Sequence, residues 1–310
     1  MLLSPNDFGL TLERKMKLTK RSLLVLTVLL LRVPVVAQEP SADAILEKTK
    51  ETYSALETYQ AEGSIQSDIN TGVSRVQQSS TFSILLKKPN LYLISWNQTV
   101  GPMAQSGAVW SDGNQSYLYM GAMNAYSKMA SDEIALGGAT GISGGAAYSI
   151  PSLFLSVFKG QPSPLARLKN PQIEKSESIA GEECFVISAP SSVSKKETYW
   201  ISKESHLIRQ YSRSFEPPEG GAVIPEMTDA DLEEALKGLG QEVNEETKKK
   251  MRQTMEKTRS MMKTMKLKGT SIETHKKVAS PGLDNSDFEY TPPQGTVLKE
   301  SLFGGFLGGQ

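Results

Sequence analysis

Gly141-Ile142-Ser143-Gly144-Gly145 matches G-x-S-x-G, the sharp turn that presents a serine nucleophile. His206 and His275 could formally supply its base. That chemistry needs a strand before the serine, a helix directly after it and a parallel sheet beneath. Five glycines crowd positions 137–145, so the pattern arises easily by chance, and the flanking segments read as antiparallel strands. Neither histidine has a partner at recognisable spacing. His206 stands beside a turn and His275 on an alternating strand, where solvent exposure is the ordinary outcome. Asp229 and Asp231 lack the glycine and terminal glutamate of a Ca²⁺ loop and read as acids of a helix start. One cysteine, Cys184, and two histidines do not make a structural zinc site of the usual kind. No catalytic residue, metal or cofactor is therefore expected, and a serine hydrolase at Ser143 remains an alternative only.

A different chemistry is written in "MRQTMEKTRSMMKTM", residues 251–265. At ~100° per residue Met251, Met255, Met262 and Met265 share an arc of about 80°. Lys249, Lys250, Arg252, Lys257 and Arg259 occupy much of the rest. Thioether chains are unbranched and polarizable, so such a face adapts to partners of variable shape. It is either a helix packed permanently on a core or a movable lid over a cavity. Residues 226–246 carry eight acids against Lys237, and residues 248–268 carry nine Lys or Arg against Glu256. Two such helices would neutralise each other as an antiparallel hairpin. Apart, the basic one could meet an anionic membrane surface.

The elements around these residues follow from periodicity. Ser41 can cap a helix running to about Tyr59, with Ile45, Thr49, Tyr53 and Leu56 on one stripe. From Gln60 the period is two: short runs rich in Ile, Val, Tyr, Phe and Thr alternate with turn signals such as Pro89-Asn90 and Asp112-Gly113-Asn114. Tight turns between consecutive strands imply antiparallel pairing. Residues 131–164 break this rhythm, as a Gly-rich loop followed by a short helix with Leu153, Phe154, Val157 and Phe158 at helical spacing. Strands resume, with a turn at Lys203–Ser205. Thr228 and Asn244 can then cap two helices, and strands close the chain. The fold class is α+β: a curved antiparallel sheet, an unclosed half-barrel with helices on its concave face, plus an inserted helical pair over 228–265.

The N-terminus reads as an export signal. Lys17, Lys20 and Arg21 precede the apolar run 22–31, and small residues place cleavage after Ala37. Ten apolar residues fall short of the ~20 that span a bilayer. Asp7 and Glu13 suit no export signal, so the start is placed at Met16. No cysteine follows the signal, so no lipid anchor is expected. This divides the chain into residues 1–37, a domain 38–300 and a loose tail 301–310. Lys plus Arg and Asp plus Glu are 34 each, which offers nothing global to nucleic acid.

"ILEKTKETYSALETYQAEG", "KKPNLYLISW", "SDGNQSYLY", "TYWISKESHLIRQ" and "DFEYTPP", in that order, resemble the LolA/LolB-like periplasmic lipoprotein-carrier proteins. The resemblance covers roughly 41–128 and 172–300. It implies an unclosed barrel around a hydrophobic cavity that binds acyl chains, with the strand after Lys88-Pro89-Asn90 on its wall. Arg75 lies in the region of the carriers' cavity arginine, and the helical pair is no part of the standard carrier. The candidate ligand-binding residues are then Leu91, Leu93, Trp96, Trp110, Tyr117, Tyr119, Phe154, Phe158, Met251, Met255, Met262 and Met265. The implied partner is lipid or an acylated protein, with transient contact to a membrane surface or envelope protein and no nucleic acid. An envelope sensor that binds a protein through this fold is the other alternative.

Overall fold

The computed structural model of the chain describes residues 39–100, 103–216, 226–238, 241–264 and 268–302. Residues 1–37, read above as an export signal, and most of the tail 301–310 lie outside the described residues. Helix α1 (Ala42–Ala55) begins where Ser41 accepts a hydrogen bond from the Ala44 amide, and it buries Ile45, Leu46, Thr49 and Tyr53. It stops four residues short of Tyr59, which already belongs to the first strand.

Six strands then meander, each antiparallel to the last: β1 (Thr58–Asn70), β2 (Arg75–Lys87), β3 (Leu91–Val100), β4 (Met103–Ser111), β5 (Ser116–Met120) and β6 (Ala125–Met129). The Asp112–Asn114 turn joins β4 to β5. Gly113 takes φ +90° there, and the Asp112 carboxylate accepts from the amides of Asn114 and Gln115. After the helical segment come β7 (Gln172–Ile173), β8 (Glu177–Ile179), β9 (Glu182–Ala189), β10 (Glu197–Ser202) and β11 (Ile208–Ser214). The last long strand, β12 (Lys268–Ala279), inserts between β1 and β11, antiparallel to both. A two-residue β13 (Val297–Leu298) runs parallel to β6. The order β13-β6-β5-β4-β3-β2-β1-β12-β11-β10-β9-β7 is open at both ends. This is the unclosed antiparallel sheet that the sequence implies.

One face of the sheet holds the core. Ala61, Ile84, Ile94, Val109, Leu118 and Ser127 are register partners across six strands, and all are buried. Helix α1 packs on this face together with α2 (Asp132–Ile142) and the single turn α3 (Pro151–Phe154). In the next row Gly63 pairs with Phe82, Phe82 with Trp96, and Trp96 with Gly107. Each ring occupies the space its glycine leaves. A Cβ at Gly63 would lie 2.3 Å from both the Phe82 ring and the Thr274 carbonyl, and one at Gly107 would lie 2.2 Å from Trp96.

The Gly-rich stretch is not a loop. Ser131 accepts from the Ile134 amide, Asp132 and Glu133 stand in the first turn, and α2 runs through Gly137, Gly138 and Gly141. Capping and the burial of Ala135, Leu136 and Ala139 outweigh the low helix propensity of three glycines. Gly144 and Gly145, with φ of +73° and +117°, then turn the chain away. The short helix expected after them is also divided. α3 ends at Phe154, and Ser156–Phe158 forms a separate 3₁₀ turn.

Helices α4 (Asp229–Gly238) and α5 (Glu245–Thr264) pack on each other as an antiparallel pair. Lys248 reaches Glu233 at 3.3 Å, Arg252 pairs with Asp229, and Arg259 lies 3.7 Å from Glu226. The Thr228 and Asn244 side chains cap the two helices. Leu232 and Leu236 are buried, yet neither joins the main core.

Two substitutions separate these roles of glycine. Gly63→Ala pushes a methyl into a backbone carbonyl and should cost about 1–3 kcal/mol or more in denaturant unfolding. At Gly137 an added Cβ meets nothing within 4 Å, so Gly137→Ala in α2 should gain about 0.5–1 kcal/mol.

Candidate functional site

Along the inner face the residue types change from one end to the other. Tyr59, Ala61, Ile84, Leu86, Tyr92 and Ile94 form an apolar floor beneath α1. Past the Gly63–Phe82–Trp96 row the partners become Ile65–Ser80–Gln98 and then Ser67–Gln78. On the other side of β1 the same rows continue as Glu273–Tyr211–Tyr199 and as Ser271–Arg213–Glu197. The sheet thus offers an apolar half that the helices fill and a polar half that they only roof.

Under that roof lies a cavity of about 310 Å³. Its floor includes Ser67, Gln78, Glu197, Tyr199, Tyr211, Ser271, Glu273 and His275, and its roof is the end of α2 with the turn beyond, from Thr140 to Ile150. Gly141 lines it and a Cβ there would meet nothing within 4 Å, so the missing side chain is part of the opening. Ile69, Pro164, Val193 and Phe215 give the rim an apolar character, beside Arg167 and Arg213. Arg167 is held by the Tyr148 hydroxyl, and the Arg213 guanidinium lies over the Phe215 ring at 5.2 Å.

Two carboxylates are buried in the floor. Glu197 is 3% exposed and accepts from three hydroxyls: Ser191, Tyr199 at 3.1 Å and Tyr211 at 3.0 Å. Tyr199 and Tyr211 stack with ring centroids 4.7 Å apart. Glu273, also 3% exposed, accepts from Ser149 at 2.6 Å through Oε2. Its Oε1 lies 3.1 Å from Nε2 of His275, but the ring is not aligned for a hydrogen bond, so both atoms lack a partner. His275 is fully buried, with the Phe82 ring edge-on at 5.3 Å and the Tyr59 hydroxyl 3.4 Å from Nδ1. This overturns the expected exposure of His275. Alternation along β12 is real, but both faces of the strand are available to it, and β11 and β1 enclose the inward one.

The hydrolase alternative does not survive this geometry. Ser143 is buried at the end of α2, donates to the Thr140 carbonyl and accepts from the Ala147 amide. Ser149, Glu273 and His275 do meet, but the carboxylate stands between serine and histidine. In that order the histidine cannot take the serine's proton. His206 sits in the β10–β11 turn with φ +56°.

Among the described residues, none of those expected from the sequence to bind ligand lines this cavity. Trp96 and Phe154 are buried in the helix-covered core, Leu91 is buried at the start of β3 on the same strand face as Leu93, and Phe158 packs edge-on against the cavity-lining Tyr148 at 5.9 Å. Leu93, Trp110, Tyr117 and Tyr119 lie on the opposite face of the sheet. There Trp110 stacks on Tyr117 at 5.1 Å, and Tyr290 packs against Trp110 at 4.9 Å. Met251 and Met255 are half-buried on α5, while the side chains of Met262 and Met265 lie outside the described residues. Arg75 is exposed and pairs with Asp68. The floor residues Glu197, Tyr199, Tyr211 and Glu273 escaped sequence reasoning. A signal was present, since a glutamate at an inward position of an alternating strand is a buried acid.

The model of a family of predicted periplasmic proteins, DUF2092, matches residues 42–221. No curated protein matches the chain. Among solved structures, an uncharacterized conserved protein from Thermus thermophilus is 8% identical, covering 83% of this chain and 98% of its own at a TM-score of 0.39. A LolA superfamily protein from Nitrosomonas europaea is 11% identical, covering 81% and 98% at 0.27. LprF from Mycobacterium bovis is 9% identical, covering 77% and 93% at 0.38.

Burial pushes the phenols of Tyr53, Tyr59, Tyr92, Tyr199 and Tyr211 well above the ordinary 10.0. The unfolded chain ionises them near pH 10 and the folded chain does not. Stability is therefore complete below pH 10 and falls above it, by about 1.4 kcal/mol per unit for each such tyrosine. In an alkaline titration their phenolate absorbance should rise together with loss of the circular dichroism signal. Titration of all ten tyrosines near pH 10 with the fold intact would contradict this.

Proposed function

Because the chain belongs to the DUF2092 family of predicted periplasmic proteins, we propose that it is an exported, non-enzymatic binding protein. In this reading the segment 1–37 directs export and is removed, and the domain shields a hydrophobic or amphipathic ligand, lipid or acyl chain, in its half-barrel. The observation that carries the reading is the 310 Å³ cavity between the polar half of the sheet and the glycine-rich end of α2. Its volume is at the lower end of ordinary ligand pockets, about 300–1,000 Å³. That suits one chain or one small ligand better than the several chains of a whole lipoprotein anchor. Each methylene removed from water contributes about 0.8 kcal/mol, and no covalent step is needed. The site differs from the hydrophobic cavity that the resemblance implies, because its floor is polar. A ligand held here carries a polar group as well as an apolar part.

The test uses the chain from residue 38 onward, purified from a bacterial periplasm, extracted with organic solvent and analysed by mass spectrometry. A near-stoichiometric ligand is expected from the wild type. Ser67→Phe, which projects a ring from the floor into the void, should abolish it, and Thr81→Phe on the exposed face of β2 should retain it. A clean wild-type extract, together with no binding of an apolar fluorescent probe, would remove the shielding function.

A further inference from the structure

Resting on the binding function above, we infer that the cavity selects a ligand bearing an ammonium group, seated on Glu273 Oε1 and His275 Nε2. Both residues line the cavity, and these two buried atoms have no hydrogen-bond partner in the protein. A buried polar atom left unpaired costs ~1–3 kcal/mol, and more if it is charged. Two adjacent ones on a cavity wall mark the place of a ligand group.

The chemistry of that group follows from the neighbours. The Tyr53 oxygen accepts from the Ile208 amide, and the Tyr59 hydroxyl lies 3.4 Å from Nδ1 of His275. In the tautomer whose Nδ1–H donates to the Tyr59 oxygen, Nε2 of His275 is a bare acceptor. Glu273 Oε1 is an acceptor too, 3.1 Å away. Two acceptors in contact repel unless a donor sits between them and the cavity. An ammonium supplies three N–H donors and a charge opposite to the carboxylate.

Three further features point the same way. The second buried carboxylate of the floor, Glu197, disfavours an anionic head. The stacked Tyr199 and Tyr211 rings add π-faces that attract a cation. The guanidiniums of Arg167 and Arg213 belong to the half-exposed rim, where they are engaged with Tyr148 and Phe215. The ammonium could belong to a lipid headgroup or to a free amine, and the length of the attached chain distinguishes the two.

Octylamine, octanol and octanoate share one chain and differ in the head, so their affinities for the wild-type protein isolate it. Calorimetry at neutral pH is expected to show octylamine binding at least tenfold more tightly than octanoate, with octanol between them. Glu273→Gln, which keeps the shape and removes the charge, should lower octylamine affinity at least tenfold and leave octanol within threefold. Equal affinities, or tighter octanoate, would overturn the ammonium inference and leave the shielding function standing. Propylamine binding as well as octylamine would keep the ammonium site and remove the shielding function. Binding of none of the four probes would overturn both.

Discussion

Everything on the covered face of the sheet is arranged about the absence of a side chain at Gly63. Phe82 lies across the β1 backbone at that point, close enough that a single methyl would strike both its ring and the Thr274 carbonyl. The same ring meets His275 on the far side of β1, and the β1–β12 register shifts by one residue between Glu62 and Gly63. Trp96 repeats the arrangement over Gly107. A wall of aromatic rings therefore crosses the sheet, with glycines beneath it. The apolar core lies on one side of this wall and the cavity on the other. Close packing of this kind transmits small changes, because an interior at crystal-like density has no slack to absorb them.

Beyond the wall the energetics change from area to pairing. Glu197 is tolerated out of water because three hydroxyls donate to it, and burial keeps the two tyrosines among them protonated and able to do so. Glu273 and His275 are satisfied only in part, at Oε2 by Ser149 and at Nδ1 by Tyr59. The floor thus combines a closed network with an open one in the adjacent row of the sheet. Fully paired polar groups specify a unique structure, whereas an unpaired buried polar group is costly in the low dielectric of the interior.

The helical pair α4–α5 obeys a simpler rule. Its acids and bases sit on opposite helices and meet at Glu233–Lys248, Asp229–Arg252 and Glu226–Arg259. The acids of these pairs are exposed, so each pair contributes little individually, but together with the buried Leu232 and Leu236 they define an antiparallel hairpin. No described residue of the pair lines the cavity. The half-buried Met251 and Met255 belong to a helix whose described partner is α4.

Local signals in the sequence determined much of this architecture. Ser41, Thr228 and Asn244 cap where their residue types say they should, Asp112-Gly113-Asn114 turns, and period-two runs become antiparallel strands, because each of these preferences acts over a few residues. The charge asymmetry of 226–268 likewise foretold which two helices would pair. Tertiary structure alone decided three things. Period two shows that Tyr117 and Tyr119 share a face, but Leu118 goes inward and they go outward only because α2 covers the other side and Tyr290 this one. The glycines of 137–145 read as a loop until Ala135, Leu136 and Ala139 found a core to enter, since burial outweighs propensity. Glu197 and Glu273 became floor residues of one cavity although they stand far apart in the chain, and His275 joined them from an apparently exposed strand. Such placements depend on the register between β10, β11, β12 and β1, a long-range pairing that no local window contains.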